Sequence, residues 1–184
     1  MRLSELLEHL PAVLTCLGPD VDIKGIRADS RQVRPGDLFI AILGFQVDGH
    51  RFVRDAVSAG AAAVIGELPP ECLHARPREH FTYVRVPSAR EAWGVTCAAW
   101  EGFPSREMAL VGVTGTDGKT TTVSLVHGIL VAAGLEAGMV STVQALIPVP
   151  ESGDAAETAV ETGLHTTTPD PPEIQQYLAQ MVAG

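Results

Sequence analysis

Residues 111–122 constrain the fold of this chain more than any other feature. They read Val-Gly-Val-Thr-Gly-Thr-Asp-Gly-Lys-Thr-Thr-Thr, between a hydrophobic stretch at 108–113 and a helix-like stretch at 120–133 that stops at Gly134. A strand that runs through a glycine-rich loop into a helix is the context of a phosphate-binding loop. The segment therefore predicts a strand, a loop and a helix, in that order, within an α/β domain.

The residue types in this loop suit a nucleotide phosphate. Gly115 and Gly118 lack a Cβ, so the backbone can turn tightly and direct its N–H groups at phosphate oxygens. Lys119 is the candidate catalytic residue because its ammonium can reach the β- and γ-phosphates, and the Thr120 hydroxyl is a candidate Mg²⁺ ligand. Val113 stands where the strict motif has glycine, so the match is to a shorter variant. The alternative is a strand-to-helix turn that binds nothing. The full candidate set for the nucleotide is Gly115, Thr116, Asp117, Gly118, Lys119, Thr120 and Thr121.

Composition excludes several classes of protein. Of 184 residues, 46% are hydrophobic and 19% are charged, which is typical of a globular chain. No apolar run approaches the roughly 20 residues of a membrane span. The net charge of −9 disfavours a nucleic-acid binder. Three cysteines outside any CxxC spacing disfavour a disulfide framework or a zinc site, and we expect each to be buried. A cytoplasmic protein is the default.

Strand and helix signals alternate along the first half. Residues 25–28 and 38–42 resemble strands joined by a Pro-Gly centre, which suits a type II turn. A helix is predicted over 50–59, strands over 62–65 and 81–86, and a helix after Ser88. Residues 102–105 break the pattern and predict a domain boundary.

The second half predicts fewer elements. Residues 138–143 form the next strand candidate, residues 148–163 an acidic surface loop, and Pro171 or Pro172 the start of a last helix. The expected parallel sheet then has only two strands, too few to be stable by itself. The predicted fold class is α/β in both halves, with the second half truncated.

The loop at 114–122 resembles the ATP loop of the Mur ligases, which join amino acids to the muramoyl peptide of the bacterial cell wall. Ala28-Asp-Ser-Arg31, Pro35-Gly-Asp-Leu-Phe39 and Asp48-Gly-His50 look like the N-terminal domain shared by the third and fourth ligases. His165-Thr-Thr-Thr-Pro169 is similar to a segment typical of the third, the MurE type.

The resemblance implies a UDP-binding α/β domain at 1–103 and the start of a P-loop ATPase domain at 104–184. It places Ala28, Ser30 and the stretch Phe45, Gln46 and Val47 near the uridine nucleotide. It places Thr167 and Thr168 at the muramoyl peptide. The implied cofactors are ATP and Mg²⁺. The implied reaction activates the terminal carboxylate as an acyl phosphate, which the amine of a diamino acid, meso-diaminopimelate or L-lysine, then attacks.

Two departures from the family pattern matter. Asp117 stands where the family usually has Asn, which places a negative charge near the phosphates. The family's metal-binding segment, modified lysine and C-terminal domain would follow Gly184, so we expect this chain to be a fragment that does not catalyse alone. The implied partners are the UDP-N-acetylmuramoyl dipeptide and the diamino acid, with no nucleic acid polymer, no membrane and a monomeric state.

Other interpretations stay open at this point. The fourth ligase, the MurF type, adds D-Ala-D-Ala instead, and a non-catalytic UDP-sugar-binding module or a P-loop kinase would also use some of these motifs. Ser30 could serve only its own turn, and His50 could be an ordinary residue at a helix start. Thr166 to Thr168 could be an extended stretch before Pro169.

Overall fold

A computed structural model gives the fold of this chain. It describes residues 1–44, 47–73, 81–148 and 169–183, together with the backbone of 157–161. The chain forms two compact units, Met1–Trp100 and Glu101–Gly184, so the division falls after Trp100 where the sequence suggested Phe103. The functional identities of the two units stay predictions. Among the described residues, no helix has both the length and the apolar character needed to cross a membrane.

The first unit is built on one five-stranded sheet. Its strands are β1 (Thr15–Leu17), β2 (Ile26–Arg27), β3 (Leu38–Ile40), β4 (Ala63–Gly66) and β5 (Thr82–Arg85), in the order β1-β5-β4-β3-β2. Strands β2 to β5 pair in parallel, and β1 pairs antiparallel with β5 at the edge. The four strands predicted in this half are therefore confirmed: β2, β3 and β5 are each two residues shorter than predicted, and β4 lies one residue further along. Strand β1 was not predicted.

Three helices accompany this sheet: α1 (Leu3–Leu7), α2 (Val53–Ser58) and α3 (Ala89–Trp100). The predicted helix at 50–59 begins as a 3₁₀ turn, Gly49–Phe52, before it becomes α2. Its N-cap is Asp48, whose carboxylate accepts the N–H of His50. Helix α3 starts where it was predicted, and the Ser88 hydroxyl accepts the N–H of Glu91 at 3.2 Å.

The central strands form the core of the first unit. Every residue of β3 and β4 is buried, as in a parallel sheet that is covered on both faces. This is why both strands are continuous apolar runs in the sequence rather than alternating ones. The prediction that all three cysteines are buried is wrong for two of them. Cys97 on α3 is buried, whereas Cys16 on the edge strand and Cys72 are exposed. An edge strand has neighbours on one side only, so β1 is exposed along its length.

The Pro-Gly turn before β3 has the geometry expected from its sequence. Gly36 has φ +96°, which the third position of a type II turn requires, and the N–H of Asp37 donates to the Arg34 carbonyl at 3.0 Å. The buried Asp37 carboxylate accepts the Arg34 N–H at 2.9 Å and lies 3.6 Å from Nε of Arg27. The turn is therefore held by a charged group that is itself paired.

The second unit differs from its predicted sheet. It contains α4 (Lys119–Ala132), β6 (Met139–Val140), β7 (Gln144–Pro148), β8 (Glu157–Glu161) and α5 (Pro171–Ala183). Both pairings in the sheet β6-β7-β8 are antiparallel, so the prediction of a two-stranded parallel sheet is wrong. The predicted loop at 148–163 is wrong in part, because 157–161 form β8.

The hydrophobic stretch at 108–113 does not form the predicted strand. A strand needs a neighbour for its backbone groups, and within the described residues β6 pairs with β7 and not with this stretch. Leu110 and Val111 are consequently exposed, by 58% and 68%. Helix α4 is apolar but none of its residues is buried, and Leu125 and Ile129 are exposed by 63% and 67%.

A buried tyrosine joins β5 to the segment that follows β4. The Tyr83 hydroxyl donates to the Leu68 carbonyl at 2.7 Å, and the side chain is fully buried. Burial raises the pKa of Tyr83 to about 12; the charge of Arg85 opposes this shift, and Glu67 and Cys72 add to it. The folded state therefore favours the protonated phenol strongly.

We predict that Tyr83→Phe lowers the free energy of unfolding near neutral pH by about 1–3 kcal/mol, because the Leu68 carbonyl loses its donor. The folded pKa lies above the ordinary value of 10.0, so the contribution of Tyr83 is complete below pH 10 and is lost as the pH rises toward 12. Urea unfolding followed by circular dichroism should show a smaller loss of stability over that range in the variant than in the unaltered chain.

The chain's other tyrosine supplies the control. Tyr177→Phe changes the same group in the second unit and should leave the alkaline profile unchanged. Identical alkaline profiles for Tyr83→Phe and the unaltered chain would contradict the assignment.

Candidate functional site

Parallel pairing brings Val47 and the predicted uridine-site segment at Ala28 and Ser30 to one edge of the first sheet. Strands β2, β3 and β4 run in the same direction, so the residues that follow them lie at their common carboxyl edge. Ala28 and Ser30 follow β2, Val47 lies in the connection after β3, and Glu67 follows β4. Ligands of open α/β sheets bind outside the carboxyl ends of the strands. Phe45 and Gln46 lie outside the described residues.

The turn after β2 is held by Asp29 and not by Ser30. Asp29 caps the 3₁₀ turn Ser30–Gln32 by accepting the Arg31 N–H at 3.0 Å, and it pairs with Nη2 of Arg31 at 2.6 Å. Hydrogen bonds from the Arg31 side chain and backbone lower the pKa of the Asp29 carboxyl. Within the described residues, no side-chain hydrogen bond uses the half-buried Ser30 hydroxyl, which leaves that hydroxyl available to a ligand.

A buried histidine ties the connection after β3 to the end of β4. His50 Nδ1 lies 2.6 Å from Oδ1 of Asp48, and Nε2 accepts the Glu67 N–H at 2.9 Å. Because Nε2 is an acceptor, the ring proton is assigned to Nδ1, where it faces the carboxylate. Burial raises the pKa of Asp48, but hydrogen bonds from the His50 backbone and ring, helped by the charge of Arg51, outweigh this and lower it. His50 is 5% exposed and holds the backbone at Glu67, a role beyond that of an ordinary residue at a helix start.

The glycine-rich loop of the second unit closes around its own lysine. Gly115 and Gly118 have φ values of +150° and +77°, which side chains rarely adopt. Lys119 opens α4, and its Nζ donates to the carbonyls of Gly115 and Thr116 at 2.7 and 3.2 Å. The ammonium is thus fixed beside the loop at a point where phosphate oxygens could replace the carbonyls as acceptors.

The first turn of α4 is open to an anion. Gly118 is its N-cap and has no side chain to accept the first amide protons, and an added Cβ there would meet no atom within 4 Å. Asp117, Thr120 and Thr121 are exposed around this turn. Uncapped amides and the positive end of a 14-residue helix together favour a phosphate group.

A small cavity of about 70 Å³ lies beside this turn. Its lining includes Val113, Lys119, Thr120, Val140, Ser141 and Thr142. The Thr120 and Thr142 hydroxyl oxygens are 3.3 Å apart across it. Hydroxyl oxygens are hard ligands of the kind that Mg²⁺ accepts, so this donor set fits a magnesium ion that also binds phosphate. Among the described residues, no three His, Cys, Asp or Glu side chains lie together as a metal site.

Several site residues were absent from the sequence-based prediction or lie outside the structure's description. Thr167 and Thr168 fall outside the described residues. Thr142 and the His50–Glu67 link were not predicted. Thr142 lies 22 residues from Thr120, and no motif joins the two. The Asp-Gly-His pattern was the one available signal for the link, but it does not identify Glu67 as the partner.

Comparisons with known proteins agree with this architecture. The model described as "Mur ligase family, catalytic domain" matches residues 22–100, and that described as "Mur ligase middle domain" matches residues 113–184. A solved UDP-N-acetylmuramoyl-L-alanyl-D-glutamate–2,6-diaminopimelate ligase covers 88% of this chain and 30% of its own, with a TM-score of 0.52 and 21% identity. That likeness concerns the fold alone.

Two curated relatives are more similar in sequence. A UDP-N-acetylmuramyl-tripeptide synthetase of Deinococcus radiodurans is 42% identical over 186 residues, which cover 100% of this chain and 36% of that protein. A UDP-N-acetylmuramoyl-L-alanyl-D-glutamate–2,6-diaminopimelate ligase of Parabacteroides distasonis is 37% identical over 182 residues, covering 99% and 35%. This chain spans about a third of the length of these relatives. The matched regions and the sequence relatives together show that the chain belongs to the Mur ligase family.

Proposed function

We propose that this chain provides the UDP-nucleotide-binding and ATP-binding parts of a MurE-type ligase. The reaction adds a diamino acid to UDP-N-acetylmuramoyl-L-alanyl-D-glutamate in peptidoglycan precursor synthesis. The observation that carries the proposal is the glycine-rich loop with an uncapped α4 and Lys119 fixed beside it. The names of the relatives support the choice of substrate.

In the second unit, the chain's own groups bind and orient the nucleotide. The backbone amides from Gly115 to Thr121 surround the phosphates, and Lys119 neutralises the charge that develops on them. The Thr120 hydroxyl binds the accompanying Mg²⁺. ATP supplies the phosphoryl group that activates a carboxylate of the substrate for attack by an amine. Positioning and charge neutralisation are then the main work of these residues.

In the first unit, the carboxyl edge of the sheet binds the UDP end of the substrate. Ala28 and Ser30 contact the nucleotide, together with Phe45, Gln46 and Val47. His50 keeps the connection after β3 against β4 and so positions this edge. We assign Thr167 and Thr168 to the muramoyl peptide on the pattern of their sequence alone.

The incoming amino acid is proposed only as a class. The Parabacteroides relative is named for 2,6-diaminopimelate, whereas the Deinococcus relative is named for a tripeptide without specifying its third residue. Meso-diaminopimelate and L-lysine both fit this class. A cytoplasmic location and a monomeric state complete the proposal.

The first test concerns the ATP loop. Lys119→Ala should weaken binding of a non-hydrolysable ATP analogue with Mg²⁺ by about tenfold or more, because the phosphates lose a charge-assisted partner. Isothermal titration of the 184-residue chain measures this directly. Lys24→Ala, at the chain's other lysine, is the matched control and should bind as the unaltered chain does. Equal affinity in the two variants would remove the basis of the proposal.

The second test concerns the edge of the first sheet. Ser30→Ala should weaken UDP binding by about three- to tenfold, because one hydrogen bond to the nucleotide is lost. Ser58→Ala removes an exposed hydroxyl at the end of α2, which leads to the opposite edge of the sheet. That control should leave UDP affinity unchanged. Loss of affinity in both variants, or in neither, would refute the assignment of Ser30.

A further inference from the structure

The cavity beside α4 holds a residue that no motif identifies. Thr142 follows β6 by two residues, and its hydroxyl is hydrogen-bonded to that of Thr120 at 3.3 Å, with either oxygen able to donate. The two hydroxyls come from different elements, the first turn of α4 and the turn between β6 and β7. Their proximity therefore depends on the tertiary fold of the second unit and not on local sequence.

The turn that carries Thr142 is held firmly by its neighbour. The Ser141 hydroxyl donates to the Gln144 carbonyl at 2.9 Å and accepts the N–H groups of Val143 and Gln144 at 3.3 and 3.2 Å. The Ser141 N–H also donates to the Gln144 carbonyl at 2.9 Å. Thr142 lies at the tip of this turn, so its backbone position is set by hydrogen bonds made without its own side chain.

The spacing of the two hydroxyl oxygens suits adjacent ligands of one small cation. Magnesium binds oxygen at about 2.1 Å in octahedral geometry, so neighbouring ligands lie about 3.0 Å apart. The observed 3.3 Å needs an adjustment of only a few tenths of an ångström. Val113, Val123 and Val140 form the apolar part of the cavity lining.

We propose that Thr142 is a second hydroxyl ligand, beside Thr120, for the divalent cation that accompanies the nucleotide phosphates. This inference rests on the proposed ATP site and deepens it. The lining of the cavity includes the cation Lys119 but no carboxylate. Two neutral hydroxyls beside an ammonium do not hold a bare divalent cation, so the metal binds only with the anionic phosphates. The Thr142 hydroxyl therefore raises the affinity for the magnesium complex of the nucleotide and not the affinity for the nucleotide without metal.

The experiment measures affinity for a non-hydrolysable ATP analogue by isothermal titration of the 184-residue chain, once with Mg²⁺ and once with EDTA. Thr142→Val removes the hydroxyl and keeps the shape of the side chain. We expect it to weaken binding about tenfold with Mg²⁺ and less than about twofold with EDTA, since one ligand of a charged ion is lost. Thr142→Ser restores the hydroxyl and should restore the affinity.

Ser124→Ala provides the control, because it removes an exposed hydroxyl one turn further along α4, and it should match the unaltered chain in both titrations. Equal loss in Mg²⁺ and in EDTA for Thr142→Val, or failure of Thr142→Ser to recover, would assign Thr142 a purely structural role and overturn the inference. If Thr142→Val keeps the affinity of the unaltered chain while Lys119→Ala loses binding, the inference about Thr142 is overturned and the proposed ATP site is not. An unaltered chain that binds no nucleotide would overturn both.

Discussion

Parallel pairing of β2 to β5 is the constraint on which the first unit depends. Because these strands run in one direction, the connections that follow them meet at one edge, and buried polar groups there must be satisfied by partners from different strands. His50 meets this need by joining Asp48 to the backbone of Glu67, and Tyr83 does so by donating to Leu68. The edge where Ser30 lies is therefore supported by hydrogen bonds that are buried and specific in direction.

The second unit prepares its candidate site differently. Its loop is exposed, its helix α4 buries none of its residues, and its geometry comes from positive φ at Gly115 and Gly118 and from the lysine of the loop itself. The geometry of this loop is thus set by its backbone conformation and by the charge of Lys119. At the sheet edge of the first unit, packed side chains set the geometry instead. A loop made in this way keeps its amides accessible, which a packed environment would prevent.

The sequence predicted what depends on local or continuous patterns. Strands β3 and β4 are uninterrupted apolar runs, the turn at Gly36 follows from its Pro-Gly pair, and the start of α4 follows from the glycine-rich loop. The prediction failed where pairing depends on distant partners. Residues 108–113 are as apolar as β4, but within the described part of the chain no strand pairs with them. Strand β8 pairs with β7 although an acidic stretch separates the two in sequence. The candidate site divides in the same way. Lys119 and Thr120 belong to a motif, whereas Thr142 reaches them only through the fold.

The two carbonyls that Lys119 contacts have a consequence for the choice of ligand. Any molecule that enters the loop competes with Gly115 and Thr116 for the same ammonium protons. A neutral ligand offers oxygens that are no better hydrogen-bond acceptors than the two carbonyls it displaces, so the exchange gains little binding free energy. A multiply charged anion binds the ammonium more strongly than these two carbonyls do, because ionic acceptors form the stronger hydrogen bonds. In the ATP site that we propose, the loop therefore selects its ligand by charge before any contact with a base or a sugar is made.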